Sequence, residues 1–322
     1  AIERSSEVFV MGHARPDMDA VGAAMGIVRC AQFSQKSSRL VLDADLFMIE
    51  PFVQRLKEEG LYDILVVEAT SAARVMRSDA LVVLVDTQRP SSAACPILLD
   101  RAEQVAVIDH HRRGLEWGEN PTVSFLEPYA SSTSELVTEL VQYYDNEIRL
   151  TQMEAEALMA GIAMDTKNFY IDTGVRTFEA ATYLRRQGAD MVRVREFLKD
   201  DANTYFQRME TIQNVQMLRK NIALAYATHK SPRAQLLALQ TADQLMTIRG
   251  IRASVVLVPA EGGIQVSARS TGEINVQIIM ERMGGGGHMS MAATFLKDME
   301  IKEAMEAVGK TVQQLAEEGE IT

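Results

Sequence analysis

Cysteine is nearly absent. Cys30 and Cys95 are the only two in 322 residues, far apart and outside any metal-ligand spacing. That excludes a disulfide framework and a thiolate metal site, suits a reducing compartment, and leaves both as small buried residues. Long apolar runs are missing too. None approaches the ~20 residues of a membrane helix, and the first residues lack a charged-then-apolar leader pattern, so the sequence as given reads as soluble and cytoplasmic. Basic residues are in deficit: 33 Lys and Arg face 44 Asp and Glu, for a net charge of -11 and a pI of about 5.1. Wrapping a long nucleic acid rests on many Lys and Arg contacts and the counterions they release, so that function class is excluded. A small anionic ligand held through metal stays open. The initiator Met is also missing. The chain opens at Ala1 and enters a strand at about Glu7, the pattern expected of a piece cut from a longer protein. Internal repeats and low-complexity segments are absent.

A chain of this length exceeds what one core serves comfortably, so two domains are expected. The first half alternates strand and helix signals. Glu7–Gly12, Arg39–Leu42, Ile64–Glu68, Ala80–Asp86 and Gln104–Asp109 are short β-branched runs, and Asp19–Gln32 carries helix formers. Strands separated by helices imply a parallel sheet with helices on both faces. Ser132–Glu135 and Thr151–Glu154 have the capping-box form and predict helices over Ser134–Tyr144 and Gln152–Met164. Residues 192–221 turn charged and helical, with no Pro, and read as a connecting helix pair. Beyond them Ile222–Thr228, Arg233–Leu239, Ala253–Pro259 and Gly263–Arg269 read as strands of a smaller mixed α/β domain. That gives domains of 1–191 and 222–322 joined by 192–221.

What is present is a concentration of histidine and aspartate at strand ends. His13-Ala14-Arg15-Pro16-Asp17-Met18-Asp19 follows the first strand, Asp86 ends another, and Asp109-His110-His111 ends a third. Ligands of parallel sheets sit beyond the carboxyl ends of the strands. Crowded carboxylates and imidazoles repel and desolvate one another unless cations hold them. His13, Asp17, Asp19, Asp86, His110 and Asp165 make six candidate ligands, more than one open site takes from a protein, so two metals fit better. Two ions roughly 3.5–4 Å apart suit in-line displacement at phosphorus. Mixed His and Asp ligation without Cys favours manganese, with iron, cobalt or magnesium as other candidates. Taken singly, Asp86 and Asp165 read more naturally as a helix cap and a turn residue. Taken together, four of the five histidines fall inside the quoted motifs, and chance would scatter them. His229 reads as structural, Trp117 as a loop aromatic, and the methionines as core filler. The run Gly284-Gly285-Gly286-Gly287-His288, with a helix-like Met289–Phe295 behind it, reads as a flexible loop or a backbone cradle for an anion.

The joint pattern of His13-x-x-Pro16-Asp17-x-Asp19, Asp86, Asp109-His110-His111 and the terminal Gly284–His288 resembles the DHH phosphoesterase superfamily, in the branch with a DHH-associated C-terminal domain. The resemblance covers essentially the whole chain. It implies that His13, Asp17 and Asp86 hold one manganese and that Asp19, Asp86, His110 and Asp165 hold the other, with Asp86 shared. It further implies that His111 faces the substrate phosphate while Asp109 supports its neighbours. Arg269, Ser270, Asn275, Gly284, Gly285, Gly286, Gly287 and His288 would bind substrate from the second domain, placing the active site in an interdomain cleft.

The finer motifs are similar to those of the GdpP-type cyclic-di-AMP phosphodiesterases: Met11–Ala23, Asp86-Thr87-Gln88-Arg89-Pro90, Asp109–Arg113, Ser267–Ser270, and Gly272-x-x-Asn275-Val276. This implies a catalytic module of a membrane-anchored protein, itself without membrane contact, opening cyclic-di-AMP to linear 5′-pApA with two Mn2+. Such modules leave a homodimer open. One departure is that relatives closing the glycine motif with Ala-Ala-Gly contrast with Ala292-Ala293-Thr294 here. A nanoRNase/pAp phosphatase is the alternative, although those enzymes carry Pro-Asp-Pro-Asp where this chain has Pro16-Asp17-Met18-Asp19. A family II pyrophosphatase, with its Lys-rich segment, and a nucleotide-binding module without catalysis fit less well. The sequence leaves base preference and activity on linear dinucleotides open.

Overall fold

The computed structural model describes residues 1–112 and 121–321. Arg113 of the 109–113 motif and Trp117 lie outside the described residues. Two compact units divide the chain, Ala1–Lys199 and Asp200–Thr322.

The first unit holds strands β1 (Glu7–Met11), β2 (Ser37–Leu42), β3 (Val66–Glu68), β4 (Leu81–Val85), β5 (Gln104–Asp109) and β6 (Val123–Leu126). Its helices are α1 (Met18–Phe33), α2 (Glu50–Glu58), α3 (Tyr62–Leu65), α4 (Ala69–Val75), α5 (Pro96–Arg101), α6 (Thr133–Tyr144), α7 (Gln152–Asp165), α8 (Val175–Arg186) and α9 (Met191–Phe197). The sheet is all parallel, in the order β3-β2-β1-β4-β5-β6. β4 reads Leu-Val-Val-Leu-Val and is buried along its length, as a central strand with both faces covered must be. Valines and leucines of β1, β2 and β4 pack on α1, α6 and α7 in one apolar layer, while Phe9, Val82 and Leu84 pack with α4 and α5 in the other. Chain order reverses between β1 and β4, which opens a crevice at the carboxyl ends of those two strands.

The second unit holds α10 (Ala202–Gln213), β7 (Gln216–Arg219), β8 (Ile222–Tyr226), α11 (Ala234–Leu245), β9 (Ala253–Ala260), β10 (Gly263–Ser270), α12 (Val276–Glu281), β11 (Gly286–His288), β12 (Met291–Lys297) and α13 (Ile301–Glu317). Its mixed sheet runs β11-β12-β10-β9-β8-β7. Segment 192–221 places α9 in the first unit and α10 and β7 in the second. Among the described residues no helix is long and apolar enough to cross a membrane.

Three expectations fail. Arg233–Leu239 is not a strand but the start of α11, because Ala234, Leu237, Ala238, Thr241, Ala242 and Leu245 are buried at helical spacing. The short run hid that period. Met289–Phe295 is not helical: β12 buries Ala292, Thr294 and Leu296 in strict alternation and pairs with β10. Of Ile64–Glu68 only Val66–Glu68 is extended, since Tyr62–Leu65 forms a helical turn.

Glycine decides how the helices of the first unit meet. A Cβ on Gly22 of α1 would lie 2.4 Å from the Ala157 carbonyl oxygen of α7, and one on Gly161 of α7 would lie 2.1 Å from Ser134 Oγ of α6 and 2.9 Å from Asp19 Cα. α1 and α7 therefore touch backbone to backbone, with the Ser134 side chain of α6 lodged against both. Gly161 and Asp165 are one turn apart on the same helix face, so the crossing that needs Gly161 also brings Asp165 toward Asp19. Gly12 keeps the β1–α1 turn slim, because its Cβ would sit 2.7 Å from that of Ala20.

The substitution Gly161→Ala is expected to destabilise the protein by about 1–3 kcal/mol through overpacking. Adding Ser134→Gly should recover only part, since the Asp19 contact remains. Calorimetric melting checks both, and an unchanged midpoint in the single variant would contradict the close crossing.

Candidate metal centre

Each strand end contributes through its own local geometry. After β1, Asp17 caps α1: its Oδ1 accepts from the backbone N–H of Asp19 at 3.0 Å and of Ala20 at 3.1 Å. Capping fixes one oxygen and leaves Oδ2 facing His13, whose Nε2 is 3.9 Å away. After β4, Asp86 sits at φ +57, a left-handed conformation that costs a non-glycine residue free energy and clusters at functional sites. Its N–H bonds the Ile108 carbonyl at 3.0 Å. Asp86 Oδ2 lies 3.5 Å from His13 Nε2, so His13, Asp17 and Asp86 form one cluster.

Asp19 is fully buried. Its two oxygens accept from the first backbone N–H groups of α6, Thr133 at 2.7 Å and Ser134 at 2.8 Å, where unsatisfied helix donors suit an anion. His110 approaches the Ala130 carbonyl through Nδ1 at 3.4 Å, an arrangement that leaves Nε2 as the free lone pair. That Nε2 is buried and makes no aligned hydrogen bond among the described residues, lying 3.1 Å from Asp165 Oδ2 and 3.7 Å from Asp86 Oδ1. Asp19, His110 and Asp165 form a second cluster, and Asp86 with His110 and His111 a third. Asp86 thus belongs to two clusters on opposite sides of its own carboxylate.

His111 is more than half exposed, and its Nδ1 donates to Asp109 Oδ1 at 2.7 Å. Asp109 is fully buried, with Oδ2 lacking a hydrogen-bond partner among the described residues. Gln88 clamps this loop, donating to the carbonyls of His111 at 3.2 Å and Arg112 at 3.0 Å.

Burial, then the charges of Asp19, Asp17, Asp165 and Asp109, push the Asp86 carboxyl well above the usual carboxylate range. Burial likewise raises Asp17, although His13 opposes it. Burial and the Asp19 charge lift Asp165 to about 7, against the pull of His110. Burial works against a charged His110, yet the Asp165 contact and the charges of Asp19, Asp165 and Asp109 outweigh it and bring His110 to about 9. Without cations this cluster binds protons it would not hold in water. Carboxylate and imidazole donors with an orphaned Nε2 among them suit hard or borderline divalent ions, so the residues fit such metals.

The second-unit candidates have structural duties as well. Arg269 Nε donates to Asp243 Oδ1 at 3.0 Å. Ser270 Oγ donates to the Met289 carbonyl at 3.3 Å, and Asn275 caps α12. The glycine run is not a cradle at a helix start: it leads into β11, the edge strand beside β12. Gly284 takes φ +81, while a Cβ on Gly285 or Gly287 would strike β12 backbone at 2.2 and 2.4 Å. Gly286 is different: among the described residues nothing lies within 4 Å of its Cβ position. His288 and Arg269 both pair with Met291 and so share a face of the sheet. Thr133, Ser134 and Ala130 escaped the sequence reading, and Gln88 entered it only as part of the 86–90 motif. Only the capping form of Ser132–Glu135 hinted at the first two.

Comparison with known proteins bears on family and fold. The DHH family N-terminal domain matches residues 7–162 and the DHHA1 domain residues 221–318. The chain is 44% identical over 323 residues to the cyclic-di-AMP phosphodiesterase GdpP of Geobacillus thermodenitrificans, covering 99% of this chain and 49% of that protein. It therefore spans about half the length of that relative. It is 26% identical to the bifunctional oligoribonuclease and PAP phosphatase NrnA of Thermus thermophilus, covering 95% of this chain and 89% of that protein. The crystal structure of an exopolyphosphatase-related protein from Bacteroides fragilis shares the fold, with a TM-score of 0.78 at 18% identity, covering 98% and 94% of the two chains.

A carboxyl that holds its proton more tightly when folded stabilises the fold fully below its unfolded value, 3.8 for Asp165, and loses that contribution as pH rises through about 7. Cations displace these protons, so Mn2+ should raise the melting temperature more at pH 8 than at pH 5.5 and release protons on binding. Equal gains at both pH values would show that the cation does not bind these carboxylates.

Proposed function

The chain belongs to the DHH family, and from that premise we propose that it is a metal-dependent phosphodiesterase opening cyclic-di-AMP to linear 5′-pApA. The observation that carries this reading is Asp86, whose two oxygens face separate ligand clusters. His13, Asp17 and Asp86 would hold one divalent cation, and Asp19, Asp86, His110 and Asp165 would hold the other, with manganese favoured by the donor set. Bound cations supply the charge that ionises an attacking water near neutral pH and neutralises phosphate oxygens. The water oxygen joins phosphorus, the P–O3′ bond breaks, the 3′ oxygen takes up a proton, and the product keeps its 5′ phosphate. The 44% identity to a named cyclic-di-AMP phosphodiesterase supports the substrate.

The chain's own groups bind and orient. His111, with Nδ1 committed to Asp109, presents the other face of its ring to the substrate phosphate, and Asp109 holds that ring in place. Residues 1–191 carry the catalytic groups. Residues 222–322 carry the substrate contacts, namely Arg269, Ser270, Asn275, Gly284 to Gly287 and His288. Orienting both parts of the dinucleotide raises the effective concentration of the reacting phosphate. A second reading, hydrolysis of short oligonucleotides and pAp, is favoured by the near-complete span of the NrnA relative.

Incubation with Mn2+ and cyclic-di-AMP, pApA or pAp, resolved by chromatography, tests the assignment. Cyclic-di-AMP should be consumed to pApA with the highest kcat/KM of the three, and a preference for pAp would favour the second reading. Asp86→Ala should lose on the order of 10³-fold in kcat, as removal of a group supporting transition-state charge does, and should lose more metal than Asp17→Ala. The Asp86 assignment fails if both cations remain.

Gly286→Ala isolates substrate binding. Its Cβ has open space and no positive φ to strain, so stability and Mn2+ content should hold while KM for cyclic-di-AMP rises severalfold. Parental KM would leave the strand end without a role in binding.

A further inference from the structure

Thr133 is fully buried at the start of α6 and touches carboxylates of both clusters. Its backbone N–H donates to Asp19 Oδ2 at 2.7 Å, and its Oγ1 donates to Asp86 Oδ1 at 3.1 Å. The neighbouring Ser134 fixes the rest of Asp19, with its N–H on Oδ1 at 2.8 Å and its hydroxyl on the Asp19 carbonyl at 3.1 Å. Asp19 is thereby held as part of the helix, whereas Asp86 hangs from a strained strand end whose terminal torsion is broad. The hydroxyl selects an orientation. It engages Oδ1, the oxygen that faces His110 and His111 at 3.7 Å each, and leaves Oδ2 toward His13.

We infer that Thr133 is a positioning residue that locks the shared Asp86 carboxylate against Asp19, and so sets how tightly the second divalent cation binds. This rests on the reading of Asp86 as shared between two cations. A hydroxyl suits the task because it is a neutral donor: Lys or Arg in its place would orient the carboxylate equally well but compete electrostatically with the metals. Among the residues near the centre, Thr133 also couples the two clusters through one rigid link, a helix N-terminus, instead of through flexible side chains.

The test titrates metal-free protein with Mn2+ and follows free and bound ion by electron paramagnetic resonance, using the parent, Thr133→Val and Thr133→Ser. The parent should take up two Mn2+ with a spin-coupled signal. Thr133→Val keeps the shape and the N–H but removes the hydroxyl; it should melt in its metal-free form like the parent, bind the second Mn2+ about 10–100-fold more weakly, and show an isolated-ion spectrum at one equivalent. Thr133→Ser should restore tight, coupled binding. A Val variant with parental affinity and coupling overturns the inference, as does a folded Ser variant that fails to rescue. A parent that takes up only one Mn2+ overturns the two-cation reading itself, which separates that failure from one confined to Thr133.

Discussion

Mutual repulsion among buried carboxylates governs this protein. Buried Asp19, Asp86 and Asp109 converge with half-buried Asp17 and Asp165, and the other four each raise the proton affinity of Asp86. A fold can hold such a cluster only with compensating positive charge. Part comes from the protein, as the first N–H groups of α6 take both oxygens of Asp19. The rest has to come from protons or cations, and at neutral pH divalent cations would meet the demand without leaving protons on these carboxylates. Stability and metal affinity are coupled for the same reason, because the arrangement that makes the cation-free form uncomfortable is one that suits divalent cations.

The scaffold makes the convergence possible by removing side chains where backbones must meet. Gly22 and Gly161 let α1, α6 and α7 approach closely, with Ser134 filling the remaining space. Gly12 does the same between β1 and α1. The parallel sheet then supplies the ends of β1 and β4, where chain order reverses, and of neighbouring β5; candidate ligands His13, Asp17, Asp19, Asp86 and His110 follow these ends, and Asp165 closes α7. In the second unit glycine serves a different end: Gly285 and Gly287 permit an edge strand to lie against β12, and Gly286 is left open toward its surroundings.

The sequence by itself determined the parallel sheet, because β-branched runs alternating with helix formers have few other ways to bury both faces, and it marked the candidate ligands, because His and Asp cluster at run ends. The errors arose where a period was too short to read. Ala, Leu and Gln between 233 and 239 fit either state until the helical spacing is followed to Leu245, and Met289–Phe295 looks helical until β10 is present to pair with it. Tertiary structure alone decided which carboxylate lies between two clusters, that a threonine hydroxyl holds it, and that the glycine run is a strand edge. Each depends on groups far apart in the chain, such as Thr133 and Asp86 or Gly161 and Asp19, whose contact arises only once helices close on the sheet. Local pattern records what a residue can do, but distance in the folded chain sets what it does.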